Sequence, residues 1–208
     1  MARSPQNKDK LVATAIELFA SKGYQATSVR DIAMAMDMTV SNIYHYFGSK
    51  EGLLRAILQH YAQILLDKLR EAAAADLEPL ERFRLLLSTH LRVAGTRPRE
   101  NKIFLLDDER LSMEGIVDSR QVQRAVLDIY TNELRNLAEL GLLREDNLRI
   151  QAFNIFGVIN WHMRWYRPEG PLALETTINK ICNFVLYGMI KRPDAELSGA
   201  PKNSGNSD

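Results

Sequence analysis

The chain has 208 residues, 46% hydrophobic and 25% charged, enough apolar material for one large domain or two small ones. Its 27 Lys and Arg against 26 Asp and Glu leave a formal net charge of +1, so any attraction for nucleic acid must be local. A single cysteine excludes an intrachain disulfide and a cysteine-based zinc cluster. No apolar run nears the ~20 residues of a membrane span, and the start, MARSPQNKDK, lacks the apolar core of a secretory signal. A cytoplasmic location is expected.

Residues 1 to 7 are polar, contain Pro5 and read as a mobile arm. Lys8 to Lys22 form a helix with Val12, Ala15, Ile16 and Phe19 on one face, and Gly23 follows at a C-cap position. The next stretch, Thr27 to Lys50, reads as two short helices joined by a tight turn. Thr27 or Ser28 caps the first, and Ser28 with Asp31 fits a capping box. Val29, Ile32, Ala33 and Met36 then recur at i, i+3, i+4 and i+7. Asp37 falls at the turn, where Asp tolerates a left-handed backbone better than most residues. Met34, Met36 and Met38 read as flexible filler around it.

Thr39 caps the second helix, whose core side is Val40, Ile43 and Phe47. Its opposite arc holds Thr39, Ser41, Asn42, His45 and Tyr46, which are hydrogen-bonding groups without a carboxylate. A helix lying in a DNA major groove needs that chemistry. The pattern is a helix-turn-helix.

The same residues carry a family resemblance. Ile32-Ala33, Thr39, Tyr44, Tyr46-Phe47, Lys50 and Leu53 resemble the N-terminal signature of the tetracycline-repressor (TetR) family, over roughly residues 10 to 60. Met36 and Asp37 stand where that family more often has Ala-Gly. The resemblance implies an all-α, dimeric, ligand-controlled transcription factor, with repression as its mode. The expected DNA-facing set is Thr27, Ser28, Thr39, Ser41, Asn42, Tyr44, His45, Tyr46 and Lys50. Thr27, Tyr44, Tyr46 and Lys50 would meet phosphates, and Ser41, Asn42 and His45 base edges. Double-stranded DNA with a pseudo-palindromic operator is the expected partner of a homodimer.

Beyond this motif a long helix starts after Ser49 and runs to about Ala75, burying Leu54, Ile57, Leu58, Tyr61, Leu65 and Leu69. Pro79 opens another that ends near Gly95 to Pro98. Residues 100 to 112 carry Ile103 to Leu106 and then Asp107, Asp108 and Glu109, an acidic run read as a solvated face. Gly115 to Leu140 suit a long helix closed by Gly141, and Asp146 or Asn147 caps the next, which runs to Tyr166. A last helix spans about Leu172 to Ile190, and 192 to 208 reads as a disordered tail. The expected architecture is all-α, of about nine helices. A DNA-binding domain occupies 1–48, and a ligand-binding and dimerisation domain 49–191.

Nothing here announces an enzyme. There is no G-x-S-x-G elbow, phosphate-binding glycine loop or H-E-x-x-H pair. His45, His60, His90 and His162 lie without metal-ligand spacing, so neither a metal nor a cofactor is expected. Cys182 sits in an apolar stripe as a small hydrophobe.

The block from Phe153 to Leu172 places Phe153, Gly157, Trp161 and Trp165 on one helical face with Arg164 beside it. Two readings compete, a dimer interface with aromatic anchors and a pocket wall. Asn160, Trp161, Arg164, Trp165, Tyr166, Pro168, Gly170 and Leu172 are similar to the ligand domain of TetR regulators of fatty-acid and steroid degradation. Some of those bind acyl-CoA thioesters. That resemblance implies an acyl-CoA effector, with Phe153, Phe156, Asn160, Trp161, Arg164, Trp165 and Arg167 as candidate ligand residues. Val122, Leu127 and Ile129 are expected to line the same pocket. The alternative is a regulator of efflux or other genes that answers to a small apolar ligand. Leu174, Ile178, Ile181, Cys182, Val185 and Met189 form the stripe expected to pair two copies.

Overall fold

Nine α-helices carry the residues that the computed structural model describes: 5–106, 113–144 and 147–191, with side chains over 7–103, 120–144 and 147–191. The four N-terminal residues, the Asp107, Asp108 and Glu109 run, the alternative cap Asp146 and the tail from 192 lie outside them.

The first four helices are α1 (Pro5–Lys22), α2 (Val29–Ala35), α3 (Val40–Phe47) and α4 (Lys50–Ala73). Local chemistry sets their ends. Ser28 accepts from the Asp31 backbone N–H while the Asp31 carboxylate accepts from the Ser28 N–H, a reciprocal capping box. Asp37 turns the chain with a left-handed φ of 51°. Thr39 caps α3, and Ser49 caps α4 through the Gly52 N–H at 2.8 Å. Gly52 is a packing requirement as well. A Cβ there would strike the Phe47 carbonyl oxygen, so the junction of α3 and α4 closes only on glycine.

The remaining helices are α5 (Pro79–Thr96), α6 (Pro98–Leu106), α7 (Met113–Glu139), α8 (Leu148–Trp165) and α9 (Leu174–Met189). Asn147 caps α8, and Gly141 follows α7 with φ 69°. α6 is the helix that the sequence pattern does not delimit, because nine residues starting at a proline give too few turns for a periodic stripe.

Two apolar cores result. The first gathers Leu11, Phe19, Ile32, Ile43, Leu53, Leu54 and Ile57 from α1 to α4, and Ile103 from α6. The second gathers Tyr61, Leu65 and Leu69 of α4 with Phe83, Leu87, Tyr130, Leu134, Ile155, Ile159, Ile178 and Cys182. α4 therefore belongs to both, and α6 links them: its Ile103 lies in the first core, and its buried Asn101 accepts from Tyr61 Oη of the second at 3.4 Å. The N-terminal unit accordingly extends past residue 48, through the first turns of α4. At 1.5 Å per residue α4 is roughly 36 Å long, enough to bridge the two cores. Met34 departs from the filler reading. It lies off the α2 stripe and stands exposed, whereas Met36 and Met38 pack against the first core.

Candidate functional site

The helix-turn-helix surface is built by α2 and α3. Ile43 is fully buried and anchors α3 to the core, while Val40, Tyr46 and Phe47 pack partly against it. Ser41, Asn42, Tyr44 and His45 are exposed on the outward arc, with the Thr39 hydroxyl at its leading end. No carboxylate stands on α3. Lys50, at the start of α4, lies with Nζ 4.2 Å from the Tyr24 ring centroid, which steadies its ammonium beside the motif.

Two members of the expected DNA-facing set do other work. The Thr27 side chain is buried, and its hydroxyl donates inward to the carbonyls of Gly23 (2.8 Å) and Leu18 (3.2 Å). It locks the end of α1 and does not reach a phosphate. Ser28 is exposed, but its hydroxyl donates to the Asp31 carboxylate at 2.6 Å. Those bonds hold the Asp31 carboxyl below its ordinary value. Tyr46 presents only part of its ring outward.

The expected ligand set divides across α8. Phe156 faces inward, its ring centroid 5.1 Å from Tyr130 and 6.5 Å from His90. His90 Nδ1 and Tyr130 Oη stand 3.1 Å apart in the second core. Burial pushes the His90 imidazole down to about 4 and the Tyr130 phenol well up, so both are neutral. Val122, Leu127 and Ile129 pack against the same core. This neutral pair was not singled out from the sequence; the spacing of residues 90 and 130 on separate helices carries no local signal.

Phe153, Trp161 and Trp165 instead point away from that core, with Trp161 66% exposed. With Phe184 of α9 they line an open cleft of about 450 Å³. Asn160 is exposed and needs no internal partner, and Arg164 is exposed too. Arg167 folds back on the end of α8, donating to the carbonyls of Arg164 (3.0 Å) and Tyr166 (2.9 Å). The seven residues thus do not line one pocket.

The apolar stripe of α9 also turns out differently. Ile178, Cys182 and Val185 are buried in the chain's own core, with Leu174, Ile181 and Met189 partly buried against it. The outward stripe is Phe184 and Tyr187. Burial pushes the Cys182 thiol up to about 11, so it is no nucleophile. Among the described residues no group of His, Cys, Asp and Glu is arranged to hold a metal ion, and no helix is long and apolar enough to cross a membrane.

A helix-turn-helix on a bridging helix, above a separate helical core, defines a DNA-binding regulator. The sequence agrees. The family model "Bacterial regulatory proteins, tetR family" matches residues 11–57, and "Tetracyclin repressor-like, C-terminal domain" matches residues 76–189. The chain belongs to the TetR family of bacterial DNA-binding transcriptional regulators, which are not enzymes.

Among relatives, it is similar to the HTH-type transcriptional repressor KstR2 of Mycobacterium tuberculosis (strain ATCC 25618 / H37Rv). The two are 26% identical over 188 residues, covering 88% of this chain and 93% of the relative. The solved structure of KstR2, a ketosteroid transcriptional regulator of Mycobacterium tuberculosis, matches with a TM-score of 0.83 at 25% identity, over 91% of this chain and 98% of that one. AibR, crystallised with isovaleryl coenzyme A and operator DNA, matches with a TM-score of 0.76 over 86% of this chain and 97% of its own. At 23% identity that likeness is one of fold.

Proposed function

We propose that the protein represses a catabolic operon as a homodimer and leaves its operator when an acyl-CoA-like effector binds the C-terminal core. The observation that carries the effector response is the membership of α4 in both cores, with α6 tied to it through the Tyr61–Asn101 hydrogen bond. Anything that spreads the second core displaces Tyr61 and Asn101, and with them Ile103 and the first turns of α4. The two readers of a dimer then change their spacing, while operator half-sites stay about 34 Å apart. The effector works by binding the low-affinity conformer more tightly.

The acyl part suits the interior beside Phe156, and the exposed Arg164 at the end of α8 suits the phosphates. Similarity to a ketosteroid regulator and the fold shared with a coenzyme A-binding one support this class. A smaller uncharged ligand is the second reading, favoured by the neutral His90–Tyr130 pair. Pairing of two copies is supported by the outward aromatic face of α8 and α9, where Phe153, Trp161, Trp165, Phe184 and Tyr187 stand exposed side by side.

The test has two arms. Selection of bound duplexes from a random pool should enrich an inverted repeat, and no enrichment would sink the DNA-reading assignment. Calorimetry with an acyl-CoA series against the matching free acids then separates the effectors. Binding of thioesters alone supports the first reading. Equal binding of acid and thioester points to the smaller apolar ligand, and no binding of either removes the acyl-CoA class.

A further inference from the structure

The outward face of α8 and α9 holds a group that neither DNA reading nor effector binding uses. His162 is 1% exposed, and neither of its ring nitrogens has a hydrogen-bonding partner among the described residues. A neutral imidazole carries one donor and one acceptor, and a charged one carries two donors. The ring lies against Trp165 and Tyr166, with centroids 5.2 and 5.0 Å away. It lines the 450 Å³ cleft together with Phe153, Gly157 and Trp161 of α8 and Ile181 and Phe184 of α9.

The cleft offers a positive charge no counter-charge. Asn154 is a further polar lining residue, no Asp or Glu among the described residues lines the cleft, and a charged group at the rim is itself a cation, Arg149, 5.6 Å from the Phe153 ring centroid. Tyr166 is the titratable neighbour in ring contact. His90 of α5 and Tyr130 of α7 stand against Phe156 of α8, which faces the interior.

A second copy is the occupant that fits this face. A small molecule filling the cleft would meet Phe184 but leave Tyr187 (67% exposed), outside the lining, uncovered, whereas a second pair of helices covers both. Gly157 and Gly188 have open space where a Cβ would stand, so another helix can approach closely there. Once covered, the cleft loses its water, and a charge on the already buried ring loses the solvent polarisation that still reaches it through the open cleft.

We infer that His162 makes pairing through the α8–α9 face depend on protonation: two copies join with neutral imidazoles and separate more readily when those rings are charged. This rests on the homodimer reading above. Burial already lowers the proton affinity of His162 in the single chain. Covering the cleft lowers it further, and the difference between the two states weakens pairing as pH falls. Each dimer contains the ring twice, so the effect is doubled.

The experiment is sedimentation of the full-length chain across a concentration series at pH 7.5 and pH 5.0, with circular dichroism on the same samples. The wild type should show a dimer dissociation constant about tenfold or more higher at pH 5.0. His162→Phe and His162→Gln, two neutral replacements of different shape, should show nearly none of that change. A wild-type dimer with the same constant at both pH values, or variants that keep the slope, would overturn the inference. So would tighter pairing at pH 5.0, since it would place a carboxylate of the second copy at the ring. A wild type that is monomeric at micromolar concentration at both pH values overturns the homodimer reading itself, and this inference with it.

Discussion

Lys102 of α6 donates from its Nζ to the carbonyl oxygen of Ala20, 2.7 Å away, near the end of α1. A cation there satisfies an acceptor left open at the helix terminus and complements its dipole. A few residues away, Arg99 pairs with Glu17 at 3.2 Å, but both of those side chains are 63% exposed. The two contacts join the same pair of helices, and their magnitudes differ. Lys102→Met should cost about 1 kcal/mol, a fall of roughly 2–4 °C in Tm for a chain of this size. Arg99→Ala should stay within ~0.5 kcal/mol, as exposed ion pairs do. Thermal melts of both variants check the order, and a larger loss for Arg99→Ala would contradict it.

The turn of the reader supplies a second prediction. Asp37 is the single non-glycine residue with positive φ among those described, at 51°. A left-handed backbone costs an L-residue roughly 1–2 kcal/mol, less for Asp than for Ala. Asp37→Gly should therefore stabilise the chain by up to about 1 kcal/mol despite glycine's entropy. Asp37→Ala should destabilise it. Asp37→Gly should also tighten operator binding by removing an exposed negative charge next to the reader, read as a lower dissociation constant at low salt.

How far the sequence reaches can be judged from particular residues. The caps Ser28, Thr39, Ser49 and Asn147, the turn at Asp37 and the stop at Gly141 are all encoded within four residues of where they act, and all are legible. Periodicity likewise finds α4 and α7 because they are long. It cannot tell which apolar face meets the same chain and which meets another. That is why Phe153 and Phe156, three residues apart on one helix, separate into outside and inside. Val185 and Phe184 do the same on α9. Thr27 was misplaced for a related reason. A hydroxyl beside a helix start looks like a phosphate ligand until the carbonyls of Leu18 and Gly23, nine and four residues earlier, are seen to accept its hydrogen bond. The ban on a Cβ at Gly52 and the His90–Tyr130 pair depend on packing distances that no local pattern records.

Acid should reach the C-terminal core through His90. Its imidazole is buried beside Tyr130, and burial lowers it from the ordinary 6.5 to about 4. A folded-state value below the unfolded one means that the unfolded chain binds more protons between them. The contribution of neutral His90 is fully present above pH 6.5 and is lost as pH falls toward 4. The slope should be on the order of 1 kcal/mol per pH unit across that window. Urea unfolding from pH 7 to 4.5 measures it, and His90→Gln should flatten the dependence even if the variant starts less stable. An identical slope in that variant would show that other groups carry the acid response.

The DNA surface gives the sharpest separation of roles. Lys50 stands at the start of α4, where the helix dipole also favours a phosphate. Its contact carries charge but no base information. Lys50→Ala should therefore weaken binding to every duplex alike and reduce the slope of log affinity against log salt by about 0.9. Asn42 and His45 lie on the exposed arc of α3, with no backbone cap or core contact to maintain through their side chains. Asn42→Ala and His45→Ala should leave the salt slope unchanged and relax the preference at single base-pair positions, by about 1–3 kcal/mol for a bidentate contact. Fluorescence anisotropy with the selected operator, its single-base variants and a random duplex, at three salt concentrations, reads both quantities in one series. A sequence-selective effect of Lys50→Ala, or a uniform one of Asn42→Ala, would mean that α3 enters the groove in a different orientation. Thr27→Val gives the internal control. Its hydroxyl points into the protein, so the loss should appear in thermal stability, while the salt slope stays that of the wild type.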